Sequence, residues 1–415
     1  VPETTATEPE NASLRLAREL APMMVELRRD VHRHPEIGNQ LPRTQQAVID
    51  ALAPLDLEIT RGLALTSVVA VLRGAAEPES GPRQVVLLRG DMDALPVDEE
   101  VGGDHRSLEP GVMHACGHDL HVAALVGAAH ILSARREEIA GDVVLMFQPG
   151  EEGPGGAEPM VAEGLLDVAG RRVDAAYAWH AYSAEIPRGT WTSRPGSQYA
   201  AADELHVTVR GEGGHGSAPH RARDPITALC DMAVALQTAV TRSLDALDPV
   251  VITVGRIAGG TKENIIPDTA ELEATVRTLS HQQRERVQQV VPRVLQGVAA
   301  AHGLAVDVDY RRGYPVTVND DAEHAFAVGV VRDLFGDDAW RLKAEPELGA
   351  EDMSFVMNEV PGAYLVLGAC PADDPETAPD NHSPRADFDD SVVPDAAAWL
   401  AEVAVRRLAR PARGA

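Results

Sequence analysis

The chain has 415 residues, of which 37 are Lys or Arg and 64 are Asp or Glu, for a formal charge of −27. So acidic a chain shows no basic patch for phosphate backbones or anionic membranes, and no run of about 18 apolar residues is present to span a bilayer. The length predicts two domains. With 44% apolar but only 4% aromatic residues, the core is expected to be built from Ala, Val and Leu. The three cysteines, Cys116, Cys230 and Cys370, make no disulfide framework.

Residues 1–12 (VPETTATEPENA) are polar and acidic, which predicts a disordered tail. They lack the basic start and apolar middle of a signal peptide, so a cytoplasmic location is expected. Leu16, Leu20, Met23, Leu27 and Val31 then recur at helical spacing after the cap candidates Asn11 and Ser13, in a helix ending before Pro35. Next come continuous apolar runs that each feed a polar cluster. Val85–Leu88 leads into Arg89-Gly90-Asp91-Met92-Asp93, Val143–Phe147 into Gln148-Pro149-Gly150-Glu151-Glu152, and Ala175–Trp179 into His180, with a helix over Leu120–Ala134 between the first two. This alternation predicts an α/β domain with a mostly parallel sheet, whose ligands gather past the strand ends.

The pattern changes near Gly196. Strands are predicted over Glu204–Arg210, Val250–Ile257, Glu271–Leu279 and Ala305–Tyr310, with helices over Pro225–Leu244 and His281–Ala301. The order β-α-β-β-α-β is the split, ferredoxin-like arrangement. After Gly313 the first pattern resumes, with helices over Asp321–Leu334, from Glu351 and from Pro394, and a strand over Ala363–Leu367. The expected domains are therefore 13–195 with 312–415, interrupted by 196–311.

Fifteen histidines are present, and their placement matters more than their number. Met113–His121 (MHACGHDLH) sets Cys116 and His118 on a Gly-containing turn entering a helix, a pair suited to zinc or a similar divalent ion. A buried structural cysteine and a nucleophilic thiolate with His118 as base are the other readings of that segment. Glu151-Glu152 follows an apolar strand, where one carboxylate can hold a metal while its neighbour takes a proton from water. His180 ends a strand and His382 lies in the loop DNHSP. Together Cys116, His118, Glu152, His180 and His382 suffice for two metal ions.

These residues stand in an ordered series: RRDVHRHPE, RGDMDALP, GVMHACGHD, QPGEEG, WH, GGHGSAPH, GGTKENIIPD, LGAEDMSF and NHSPRADFD. The series resembles the M20 metallopeptidase and aminoacylase family, in its amidohydrolase branch, over nearly the whole chain. The resemblance implies a two-metal catalytic domain interrupted by a dimerising lid, and hydrolysis of the amide of an N-acyl amino acid. By motif match it implies Cys116, His118, Glu152, His180 and His382 as ligands of two ions (zinc or manganese, with cobalt possible), Cys116 bridging, and Glu151 as general base. His215 and Asn264 would reach the partner subunit's site, Arg277 would hold the substrate carboxylate, and Gly349 would offer backbone near the amide. Other branches place His at Asp91 and Asp at Cys116, so Asp91 and Asp93 are expected to orient ligands rather than bind metal. Where relatives usually show an acidic residue after HPEIG, this chain has Asn39-Gln40-Leu41-Pro42, which bears on specificity.

The pair His32-x-His34 is similar to the HxH of barrel amidohydrolases. It closes a helix instead of ending a strand, however, and neither of the only two lysines, Lys262 and Lys343, follows a strand where a metal-bridging lysine would sit. It reads as a helix-end cap beside Glu36. The runner-up functions are a cysteine-nucleophile amidase using Cys116 and His118, and a non-catalytic binding homologue.

Overall fold

A computed structural model describes residues 11–411. The predicted tail lies outside the described residues as far as Glu10. From Ala12 to Arg33 the chain is helical, with the Asn11 carboxamide accepting from the Ser13 and Leu14 N–H groups. The chain divides into two compact units: one runs to Gly196 and resumes over Asn319–Ala344 and from Phe355, the other comprises Ser197–Val318 and Glu345–Ser354.

The first unit is built on one sheet with the strand order Glu58–Arg61, Val68–Arg73, Gly141–Gln148, Gln84–Asp91, Ala175–Tyr182, Gly362–Gly368, Trp191–Ser193, Trp340–Leu342. The four central strands, from Gly141–Gln148 to Gly362–Gly368, are parallel. Antiparallel pairings join them to the strands on either side. Gln84–Asp91, Gly141–Gln148 and Gly362–Gly368 are buried at every position, as strands covered on both faces must be. On one face the helices Ala12–Arg33, His118–Ala134 and Val393–Leu408 pack on one another. Gly127 makes that approach possible, because a Cβ there would lie 2.0 Å from the Met24 sulfur. The helix Pro42–Leu52, the edge strand Glu58–Arg61 and its neighbour Val68–Arg73 are additional to the predicted elements. The helix expected from Glu351 is only the turn Ser354–Met357, because the Glu351 carboxylate takes the Met353 N–H at 2.8 Å and caps it late.

The second unit has the element order β-α-β-β-α-β, with strands ordered Val250–Gly259, Thr269–Thr278, Ala201–Arg210, Ala305–Arg312 and every neighbour antiparallel. Helices Pro225–Ser243 and His281–Ala301 cover the sheet. Ala201–Arg210 and Thr269–Thr278 alternate between buried and more accessible positions, which is the signature of a sheet covered on one face. Residues 345–354, expected with the first domain, fold with this unit. The reason is backbone pairing: the Ala200 N–H donates to Glu347 O at 3.0 Å and Gly349 O at 2.9 Å, and the Glu347 N–H to Gln198 O at 2.9 Å. No helix among the described residues is long and apolar enough to cross a membrane.

Candidate metal centre

In the first unit the carboxyl ends of the central strands carry the polar clusters. The strand Gln84–Asp91 delivers Asp91 and, just beyond it, Asp93, while Gly141–Gln148 delivers Glu151 and Glu152. His180 lies near the end of Ala175–Tyr182, and His118 opens the helix that Cys116 precedes. These side chains converge. Cys116 Sγ lies 3.5 Å from His180 Nε2 and 3.3 Å from His382 Nε2. Glu152 Oε1 is 3.1 Å from His382 Nε2 and 3.9 Å from His118 Nε2. The ligand atoms of Cys116, His118 and His180 fall within 4.8 Å of one another, as do those of Cys116, Glu152 and His382, and those of His118, Glu151 and Glu152. The Cys116 sulfur is common to the first two sets.

Each donor is aimed by a second group. His118 Nδ1 donates to Asp93 O at 2.9 Å and His180 Nδ1 to Ala181 O at 2.8 Å, so both rings turn an Nε2 lone pair toward the centre. The Asp93 carboxylate accepts the N–H groups of Glu151 at 2.9 Å and Glu152 at 3.0 Å, which pins the loop carrying both acids. Gly117, at φ +80°, forms the turn between Cys116 and His118, where a Cβ would meet the Phe388 ring at 3.0 Å. His121 donates Nδ1 to Asp91 at 2.5 Å and accepts the Ala181 N–H on Nε2 at 2.9 Å, so neither nitrogen is left for a metal. Asp91 also takes Arg89 Nη1 at 2.6 Å.

The charges are arranged for a cation. Burial opposes protonation of His118, but Asp91, Asp93 and Glu152 outweigh it and push the imidazole up to about 10. His118 Nε2 is nevertheless buried without a hydrogen-bond partner. A hydrogen bond donated to the Glu152 carboxylate raises His382, whereas burial and the neighbouring His121 and His118 hold His180 well below its usual range. Burial, Glu152 and Glu151 together drive the Cys116 thiol far up. A nucleophilic cysteine needs electropositive surroundings, and this one is flanked by carboxylates. A thiol, imidazoles and a carboxylate sharing one pocket, with a buried imidazole nitrogen unpartnered, fit divalent ions of the zinc type. A divalent charge there reverses the local pKa logic and makes thiolate and neutral imidazole the stable forms.

The remaining sequence candidates lie in the second unit. His215 and Asn264 are brought side by side: His215 pairs with Ile265, and the Gly216 N–H donates to Asn264 O at 2.8 Å. His215 Nδ1 accepts the Ser217 N–H at 3.1 Å, which leaves Nε2 as the proton-bearing, donating nitrogen. Arg277 lies one residue before the end of the strand Thr269–Thr278, opposite Val251 and Ala202, half-buried, and burial pushes its guanidinium down. Its guanidinium makes no hydrogen bond or ion pair with the described residues. Gly349 sits in the 345–354 segment, with its carbonyl on the Ala200 N–H.

Residues 87–406 match peptidase family M20/M25/M40. The chain belongs to that family. It is 37% identical over 389 residues, 93% of this chain and 85% of the relative, to the IAA-amino acid hydrolase ILR1-like 2 of Arabidopsis thaliana. It is 37% identical over 355 residues, 85% of this chain and 87% of the relative, to thermostable carboxypeptidase 1 of Saccharolobus solfataricus. Among solved structures, the YXEP protein of Bacillus subtilis, a dinuclear metal binding peptidase from the M20 family, superposes with a TM-score of 0.80 at 29% identity, covering 94% of this chain and 99% of that one. This M20 chain is a metal-dependent amide hydrolase of the family's amidohydrolase branch.

Two residues inside the motifs of the M20 chain have structural roles that the sequence did not assign. Asn381 sets the His382 loop: its Oδ1 accepts from the Ser183 N–H and hydroxyl, both at 2.9 Å, and its Nδ2 donates to Ala181 O at 3.0 Å, while His382 adopts φ +70°. An Asn next to a candidate ligand was the available signal. His32 is a correction: it is buried and bonded to Asp119 and Glu99 rather than capping the helix. His34 is the helix-end residue, and Glu36 turns to the next helix, accepting from Thr44 N–H at 2.8 Å.

Proposed function

We propose that this M20 chain hydrolyses the amide bond of N-acylated amino acids, releasing a carboxylate and a free amino acid. The observation that carries the reading is the pair of ligand sets sharing the Cys116 sulfur, with Glu151 beside them. Cys116, His118, Glu152, His180 and His382 would hold two divalent ions, zinc or manganese. The ions would supply Lewis acidity to the amide carbonyl and to water.

The chain's own residues do the rest. Glu151, itself buried, takes the proton of the attacking water and hands it to the leaving nitrogen. Asp93 keeps its backbone in register while this happens. His215 donates from Nε2 to the developing oxyanion, with Asn264 beside it, from the second unit of a partner subunit. That role makes the second unit a dimerising lid. Arg277, a guanidinium without an ion pair among the described residues, takes the substrate carboxylate, and Gly349 contributes backbone near the amide. The resemblance to an IAA-amino acid hydrolase supports an amino-acid leaving group.

The test is a panel of acetyl-, benzoyl- and indoleacetyl-amino acids scored by amine release before and after chelation. Release that requires the free carboxylate, stops on chelation and returns with Zn²⁺, Mn²⁺ or Co²⁺ is expected. Turnover that survives chelation would point to the Cys116 thiol instead.

A further inference from the structure

A second buried charged cluster lies at the end of the first helix, and the hydrolytic reading leaves it without a role. Arg28, His32 and Asp119 are 1%, 3% and 0% exposed. His32 Nδ1 is 2.8 Å from Asp119 Oδ2, and its Nε2 is 3.2 Å from Glu99 Oε1. Arg28 Nε reaches the same Asp119 oxygen at 2.7 Å, and its Nη1 reaches Asp390 Oδ1 at 3.1 Å. Arg29 closes the other Asp390 oxygen at 2.8 Å.

An ionised carboxylate only accepts hydrogen bonds, so a ring bonded to one on each side must donate from both nitrogens. Burial opposes the resulting charge, but Asp119 and Glu99 outweigh it and raise the imidazole. The three acids lie on three different segments. Asp119 adjoins His118. Glu99 lies downstream of Asp93, whose carboxylate holds the Glu151 and Glu152 N–H groups. Asp390 begins the turn that leads from the His382 loop into the last helix.

We infer that His32 and Arg28 are positioning residues, clamping the segments that bear His118, Asp93 and His382 into one register so that the metal ligands are aimed before an ion arrives. Stability alone is a poor reason for the cluster, because buried ion pairs are commonly no better than apolar packing of the same volume. What they add is direction. Two charge-assisted bonds from one rigid ring fix the angle between the Asp119 helix and the Glu99 segment as apolar contacts do not. The inference rests on the ligand assignment proposed above.

The experiment is Co²⁺ titration of the full chain, following the thiolate-to-cobalt band and the d–d bands, with affinity set by a competing chelator. The parent protein is expected to take up two ions with the thiolate band present. His32→Gln is expected to lower affinity by about 10–100-fold and shift the d–d envelope, with kcat falling and KM held. Arg28→Lys keeps the charge without the fork and is expected to recover only part of the loss seen in Arg28→Met. Should His32→Gln not fold, Glu99→Gln, which keeps an acceptor for the ring, is expected to give the same changes at smaller size. Parental affinity and spectrum in the folded His32 or Glu99 variant would overturn the inference while leaving the ligand assignment intact. A parent protein with no thiolate band would remove the assignment, and the inference with it.

Discussion

Two clusters in the first unit use the same residue types to opposite ends. Around Cys116, a thiol, imidazoles and carboxylates crowd their ligand atoms into one pocket, and the His118 Nε2 is buried without a hydrogen-bond partner. Around His32, an imidazole and two acids meet as donor and acceptors, and Arg28 supplies further charge. The first arrangement is costly until a cation enters it, whereas in the second both nitrogens of the imidazole already meet a carboxylate. The difference teaches that a His and acid cluster is read as a site by whether its imidazole nitrogens are already bonded, not by its composition.

The sharpest break between the clusters is expected at Glu151. Glu151→Gln keeps the shape of the loop but removes the proton acceptor, and kcat should fall by roughly 10²–10⁴-fold at parental metal content. Activity near the parental level would remove Glu151 from the chemistry. Asp93 comes next, since it aims donors without being one. Asp93→Asn should cost about 10–100-fold in metal affinity, measured by chelator competition, because an amide cannot accept two N–H groups as the carboxylate does. Smallest is a change in a cluster with no part in the centre. Glu402 accepts from Ser13 at 2.9 Å, Arg135 at 2.6 Å and Arg406 at 2.7 Å. Burial works against its charge, but Arg406 and Arg135 hold the carboxyl at about 2 against an ordinary 4.5. A carboxyl lowered on folding stabilises fully above its ordinary value and loses that contribution as pH falls through the folded one. Glu402→Gln should therefore lower stability at neutral pH by about 1–3 kcal/mol, flatten the acid limb between about pH 4.5 and 2, and leave metal uptake unchanged. Altered uptake would mean that the two kinds of cluster are not separable.

Much of this organisation is legible in the residues. Apolar runs such as Val143–Phe147 announce buried parallel strands because burial on both faces leaves no polar positions. The alternation in Glu204–Arg210 announces a sheet covered on one face. The edge strand Glu58–Arg61 is largely exposed, so it carries no hydrophobic period to find. The short turn Ser354–Met357 is hidden for another reason: a cap by Glu351 looks like the start of a longer helix. For the centre, spacing brings Cys116 to His118 and Glu151 to Glu152, but His180 and His382 join them only through the strand order and the Asn381-held loop. The brace on His32 is invisible in sequence. Its partners Glu99, Asp119 and Asp390 are remote along the chain, and each alone looks like a surface acid.

The measurement that bears most directly on the shared-sulfur centre is metal content per chain by elemental analysis, in the parent protein and in Cys116→Ala, after loading and desalting. Two ions in the parent and a loss at both positions in Cys116→Ala are predicted, since the sulfur belongs to both ligand sets. Two ions retained by Cys116→Ala at parental affinity would contradict a centre built on that sulfur.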